Sequence, residues 1–205
     1  MRIIFVRHGE TAFNVGEKRV RGRYEIPLSE EGKKHAEEAG KTLSSFPVDI
    51  IYYSRISRAK ETAESIKKYQ KEAKLIEEPF LIDLSFGDWE GKKYSEVFTP
   101  EEEEQWFINP FKFIPENGET FYQALDRLHR LFVRLEKQGE KNVVLVSHGA
   151  IFNLLFTYLY QTHPSQFWKF YVAPCSISEI EFHSLDKFDL VKINDTTHLT
   201  YEKGE

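Results

Sequence analysis

Arg7-His8-Gly9-Glu10-Thr11 brings together a fixed cation, an imidazole that can act as a nucleophile, and a glycine that lets the backbone approach an anion closely. A loop of this kind can cradle a phosphoryl group. Arg-His-Gly-Glu should arise by chance in a chain of this length only about once in a thousand. A neutral imidazole nitrogen at His8 can attack phosphorus and form a covalent intermediate, which divides one difficult displacement into two easier ones. Arg7 and Arg58 can each give bidentate hydrogen bonds to phosphoryl oxygens, and a protonated His148 would add a donor as charge builds up. Taken singly, each of these residues reads more readily as structural or as a surface charge. Together they describe a phosphate-transfer centre.

Two segments must deliver the histidines. Ile3-Ile4-Phe5-Val6 is a short, continuous apolar run that ends in Arg-His-Gly, and Val143-Val144-Leu145-Val146 ends in Ser147-His148-Gly149. Runs of this type suit strands buried on both faces. In open α/β sheets ligands sit beyond the carboxyl ends of the strands, so two such strands would bring both histidines to one site. The alternative is two unrelated loop histidines. Helical stripes lie between them: Ala36, Ala39, Gly40 and Leu43, then Ile56, Ala59, Ala63 and Ile66, then Phe121, Ala124, Leu125, Leu128, Leu131, Phe132 and Leu135, closing near Gly139. Ser29 is the expected N-cap of the first. Residues 48–53 and 75–82 are expected to be further short strands, with 176–182 and 188–193 forming a hairpin. The alternation predicts an α/β fold with a mostly parallel sheet covered by helices on both faces. Residues 99–113 stand out, because Glu101 to Glu104 precede Trp106, Phe107, Phe111 and Phe113. They read first as a solvated acidic helix start, second as a wall facing the substrate.

The 205 residues fit one ordinary domain, or at most two small ones, with a full hydrophobic core. With 40% apolar, 15% aromatic and 30% charged residues, disordered and low-complexity classes are excluded. A net charge of -5 disfavours nucleic acid or an anionic membrane as the main partner. The single cysteine, Cys175, suits a reducing compartment, so the cytoplasm is expected. The first residues turn polar too soon for a signal peptide, and the longest apolar run, Ala150 to Tyr160, is too short to span a bilayer.

The chain resembles the histidine phosphatase superfamily, in its phosphoglycerate-mutase-like branch (branch 1). The likeness runs almost end to end: Arg7 to Thr11 with Asn14; Arg23 to Leu28 followed by Ser29-Glu30-Glu31-Gly32; Tyr53 to Ala59 with Thr62-Ala63; Phe86-Gly87-Asp88-Trp89-Glu90-Gly91; Gly118-Glu119-Thr120; Ser147-His148-Gly149; and Asn194 to Leu199. The resemblance implies a single domain over residues 1–205, built as a three-layer α/β/α sandwich. It also implies phosphoryl transfer to His8, a phosphate pocket of Arg7, Arg58 and His148, an additional phosphate contact from Asn14, and no metal or other cofactor.

Several positions depart from the family pattern. Asp83 stands where the general acid is commonly glutamate; an aspartate can still protonate a leaving oxygen, from a shorter arm. Position 82 is Ile where a basic residue is common, position 153 is Asn where arginine is frequent, and position 21 is Arg where glutamine is common. Arg21 can recognise a carboxylate or second phosphate on the substrate, or be an exposed loop cation. The expected activity is metal-independent phosphatase action on a small phosphorylated metabolite. The alternatives are a bisphosphoglycerate-dependent phosphoglycerate mutase and a weakly catalytic protein that binds phosphorylated ligands. Phosphoglycerate mutases of this superfamily generally look longer, with inserted segments over a site that must keep water out, so the resemblance favours hydrolysis for this shorter chain.

Overall fold

The computed structural model describes residues 1–14 and 18–201. Six strands form one sheet: β1 (Arg2–Arg7), β2 (Ile50–Tyr53), β3 (Lys74–Glu77), β4 (Asn142–Ser147), β5 (Ile177–Ser184) and β6 (Lys187–Asp195), in the order β3-β2-β4-β1-β5-β6. The pairs β2–β3, β2–β4 and β1–β4 are parallel, while β1–β5 and β5–β6 are antiparallel. The C-terminal hairpin thus adds an antiparallel edge to a mostly parallel sheet.

Among the described residues six α-helices accompany it: α1 (Glu30–Leu43), α2 (Ser57–Tyr69), α3 (Tyr94–Val97), α4 (Pro100–Ile108), α5 (Phe121–Glu136) and α6 (Gly149–Leu159). The strands read as continuous apolar runs because both faces are covered. Ile4, Val6, Ile51, Val144 and Val146 pack with Leu43 of α1 and Ala59, Ala63 and Ile66 of α2. Ile3, Phe5, Ile50, Val143 and Leu145 face the other way, toward α5 and α6. This is the expected three-layer α/β/α arrangement.

The helix starts follow from local chemistry. Ser29 caps α1, its Oγ accepting from Gly32 N at 3.0 Å. Thr99 with Glu102, and Thr120 with Gln123, form capping boxes at α4 and α5. The apolar run beginning at Ala150 lies within α6, whose eleven residues are buried on most sides. Among the described residues no helix is long and apolar enough to cross a membrane.

The strand expected over 75–82 requires correction. It ends at Glu77, and Pro79–Leu81 form a 3-10 turn. Pro79 has no N–H to give to a ladder, and the carboxylate of Glu78 accepts from Phe80 N instead. This early exit from the sheet carries Asp83 across the ends of the parallel strands.

Candidate functional site

β1 and β4 run parallel with Arg7 opposite Ser147, so the next residue on each strand is a histidine. His8 N donates to Ser147 O at 2.9 Å, and the two imidazoles stand 5.2 Å apart between ring centroids. The loop after β1 is locked to the start of α1 by backbone packing. A Cβ on Gly9 would come within 2.6 Å of Gly32 O, and one on Gly32 within 2.1 Å of Glu10 O, so both positions require glycine.

The hydrogen bonds of His8 define which of its nitrogens is free. Nδ1 lies 2.7 Å from Gly9 O, an atom that can only accept, so Nδ1 carries the proton and the lone pair stands on Nε2. Burial first, and then the positive charge of Arg58 with Arg7 and Arg21 also nearby, holds His8 well below the usual imidazole range. A neutral ring with an open Nε2 is the form that can attack phosphorus.

Three cationic or polar groups surround it. Arg7 is buried, donates from Nη1 to Val172 O at 2.5 Å, and lies 5.8 Å from the Tyr171 ring. Burial is the main cause of the lowering of its pKa to about 10. Arg58, at the start of α2, is fully buried and reaches Tyr24 O, Gly22 O and Asp83 Oδ2 at 2.9, 2.7 and 3.0 Å. His148 Nε2 lies 2.8 Å from Ser54 Oγ. Ser54 Oγ also accepts from Ile56 N, so its own proton can go to Nε2, and His148 Nδ1 then bears the remaining hydrogen. Among the described residues, Arg7 Nε, Arg58 Nε and His148 Nδ1 are buried without a hydrogen-bond partner. Donors left unpaired at such depth are costly unless an acceptor enters, and oxygens of a phosphoryl group have the matching chemistry. Burial, then Arg58, keeps His148 neutral, so it offers a neutral N–H rather than the imidazolium expected from the sequence.

Asp83 completes the group. Its Oδ1 accepts from its neighbour Leu84 N at 2.9 Å, and its Oδ2 lies 3.4 Å from His148 Nδ1 as well as on Arg58. Burial raises its pKa, and Arg58 opposes that rise. The backbone carbonyl of Asp83 is clamped by Arg23 Nε at 3.0 Å and Arg127 Nη2 at 3.3 Å. Both arginines are held by Glu119, through contacts of 2.9 and 3.0 Å to Arg127 and 3.0 Å to Arg23.

The cleft above is lined by Arg7, His8 and Asp83 at its base and by Arg19 and Arg21 at one side. Phe86, Tyr94, Trp106, Trp168 and Tyr171 supply aromatic wall. In residues 99–113, Glu101, Glu102 and Glu103 form a solvated first turn, as expected, while Trp106 packs into the core and is the segment's one residue in the cleft lining among the described residues. Asn14 is not among the residues that line the cleft. Its Oδ1 accepts from Thr11 N, Thr11 Oγ1 and Arg21 Nη1, each at 3.0 Å, so in this structure it orients Arg21. Sequence reasoning missed the supporting residues. Ser54, Thr62 and Glu119 lay inside motifs without being assigned a task; Thr62 Oγ1 accepts from Gly9 N and donates to Arg58 O, tying α2 to the loop after β1. Trp168, in the 3-10 helix Pro164–Phe170 that follows α6, and Tyr171 at its end carry no motif that marks them in the sequence.

The two histidines of the site, His8 and His148, predict acid lability. Their unfolded pKa is near 6.5 and their folded values lie well below it, so the unfolded chain binds more protons in that window. The stability they contribute is full above pH 6.5 and is lost as pH falls below it, by about 1.4 kcal/mol per pH unit for each histidine. Asp83, with a raised pKa, acts in the opposite sense, its stabilisation fading as pH rises through the folded value. Urea melts between pH 7 and 5 on wild type and His148→Gln isolate one histidine. The variant should lose its share of the slope; equal slopes would show that His148 titrates normally.

Comparison with known proteins agrees with this geometry. The family model of the histidine phosphatase superfamily (branch 1) matches residues 3–196. Phosphoserine phosphatase 1 of Hydrogenobacter thermophilus is 31% identical over 203 residues, covering 97% of this chain and 94% of that protein. The adenosylcobalamin/alpha-ribazole phosphatase of Escherichia coli is 29% identical over 208 residues, covering all of both chains. The solved structure of Bacillus stearothermophilus YhfR superposes with a TM-score of 0.87 at 28% identity, covering 97% of this chain and 99% of that one. With its two strand-end histidines and their arginines in the family's order, the chain belongs to branch 1 of the histidine phosphatase superfamily.

Proposed function

We propose that this protein is a metal-independent phosphomonoester phosphatase that acts on a small phosphorylated metabolite through a phosphohistidine on His8. The carrying observation is the neutral, buried His8 with Nε2 open beside three unpaired donors, Arg7 Nε, Arg58 Nε and His148 Nδ1. Family membership and relatives named as phosphatases support hydrolysis.

In the first step the Nε2 lone pair forms a bond to phosphorus while the ester P–O bond breaks. The departing alkoxide takes the proton of the Asp83 carboxyl group. In the second step water attacks phosphorus, Asp83 accepts its proton, and the P–N electron pair returns to Nε2. The three donors hold the equatorial oxygens throughout and take up the charge that develops on them. The positive charge comes from Arg7 and Arg58, so the step needs no bound ion.

Phosphate release from a panel of phosphomonoesters, with and without chelator, tests the reading. Release unaffected by chelator is expected. Restoration by magnesium after chelation would overturn the metal-free mechanism, and isomer exchange of phosphoglycerate faster than phosphate release would reassign the protein to a mutase.

The clamp on Asp83 makes Glu119 a positioning residue. Glu119→Gln should weaken the hold of Arg23 and Arg127 on the Asp83 carbonyl. Turnover of an alkyl phosphate should fall about tenfold further than that of nitrophenyl phosphate, whose leaving group needs no acid. The alkaline limb of the alkyl-phosphate pH profile should shift as well. Equal losses on both esters with an unmoved limb would leave Glu119 a purely structural part.

A further inference from the structure

The cleft holds more positive charge than one phosphoryl group uses. Three arginines, Arg7, Arg19 and Arg21, line it, against the single carboxylate of Asp83 among the described lining residues, and Arg58 lies against Asp83. Arg7 and Arg58 belong to the phosphate pocket. Arg19 and Arg21 are left over.

Their placement is built. Val20 N donates to Lys92 O at 2.9 Å, and Gly91 N donates to Val20 O at 2.8 Å, so this segment lies in a short antiparallel pairing. Residues two apart in such a segment project to the same side, which puts Arg19 and Arg21 together on the cleft. Each guanidinium is anchored through one nitrogen, Arg19 Nη1 to Gly91 O at 2.8 Å and Arg21 Nη1 to Asn14 Oδ1 at 3.0 Å. The remaining N–H groups of each planar fork are available for two parallel bonds to a carboxylate or phosphate. Both side chains are half-buried, and among the described residues neither has a carboxylate at ion-pair distance. An anchored, half-buried and unneutralised pair of arginines beside an anion site is unlike a solvated loop charge.

We propose that the substrate is a phosphomonoester whose leaving group carries a second anionic group, a carboxylate or a further phosphate, received by Arg19 and Arg21. The carbon skeleton between the two anions lies along the wall of Trp106 and Trp168. This rests on the phosphatase reading for the first anion and adds a subsite for the second.

Three esters with the same three-carbon chain test it: propyl phosphate, 3-phosphonooxypropanoate and propane-1,3-diyl bisphosphate, each an alkyl leaving group differing only at its far end. Wild type should favour one or both doubly anionic esters over propyl phosphate by at least about tenfold in kcat/KM. Which of the two is favoured distinguishes carboxylate from phosphate. Arg19→Gln and Arg21→Gln should each shrink that ratio, and together should abolish it. Equal kcat/KM for all three esters in wild type would overturn the proposal and leave the phosphatase reading intact. Failure to release phosphate from any ester, nitrophenyl phosphate included, would instead defeat the phosphatase reading. Calorimetric binding of 3-phosphonopropanoate against propylphosphonate, neither of which turns over, decides the second anion independently. With propane-1,3-diylbisphosphonate as the third ligand, tenfold tighter binding of either doubly anionic compound than of propylphosphonate supports the subsite, and equal binding of all three rejects it.

Discussion

His8→Ala will lower turnover of every phosphomonoester by about 10⁴-fold or more, the scale seen when a covalent nucleophile is removed from an intact site. The size of the effect follows from geometry. Gly9 O holds Nδ1 at 2.7 Å, burial and the surrounding charges keep the ring neutral, and no second imidazole can take its place. His148 is 5.2 Å away by ring centroid, but its Nε2 is engaged with Ser54. Wild type quenched during turnover of a labile ester should carry phosphate on His8 that is stable to base and lost in acid. The alanine variant should carry none. Wild-type turnover by His8→Ala, or a phosphoryl group found on His148, would reject the assignment. Arg7 and Arg58 remain in the variant, so phosphate and vanadate should still bind, which separates lost chemistry from a lost pocket.

The central elements could be read from sequence because a single pattern determined them. Ile3 to Val6 and Val143 to Val146 are continuous apolar runs since α1 and α2 cover one face and α5 and α6 the other. The matching Arg-His-Gly and Ser-His-Gly endings then converge because β1 and β4 are in register. Segments answering to two demands were harder to read. Leu75 to Ile82 has strand composition, but Pro79 ends the ladder and the tertiary fold uses the tail to carry Asp83. Trp106 sits on a helix whose opening turn is acidic and solvated, yet its own side chain is core. The clamp of Glu119 on Arg23 and Arg127 joins residues up to 104 positions apart in the chain (23 to 127), and only the folded molecule brings them to one carbonyl.

In the proposed mechanism Asp83 governs both the formation of the phosphohistidine and its hydrolysis. Its carboxyl group is buried and its pKa raised, so the protonated form needed by a departing alkoxide survives to higher pH than for a solvated aspartate. Its Oδ2 also contacts Arg58 at 3.0 Å and stands 3.4 Å from His148 Nδ1, two of the groups assigned to the phosphoryl oxygens. An incoming phosphoryl dianion therefore competes with the carboxylate for these donors, and its negative charge favours proton uptake by Asp83 at the moment an acid is required. Asp83→Asn removes the titrating group while keeping its shape. Alkyl phosphate turnover should fall about a hundredfold or more, the usual contribution of general acid catalysis, and the limb of the pH profile that reports Asp83 should flatten. Nitrophenyl phosphate, whose phenolate leaves unaided, should still phosphorylate His8 quickly. With no base to activate water, the phosphoenzyme should then accumulate, giving a burst of nitrophenol followed by a slow steady rate. The competing carboxylates are placed differently: Glu90 accepts from Phe86 N at 2.8 Å and Asp88 faces Asn117 at 3.2 and 3.3 Å, and neither lines the cleft. Equal slowing of both esters by Asp83→Asn, with the leaving-group dependence appearing in Glu90→Gln, would move the acid role to Glu90.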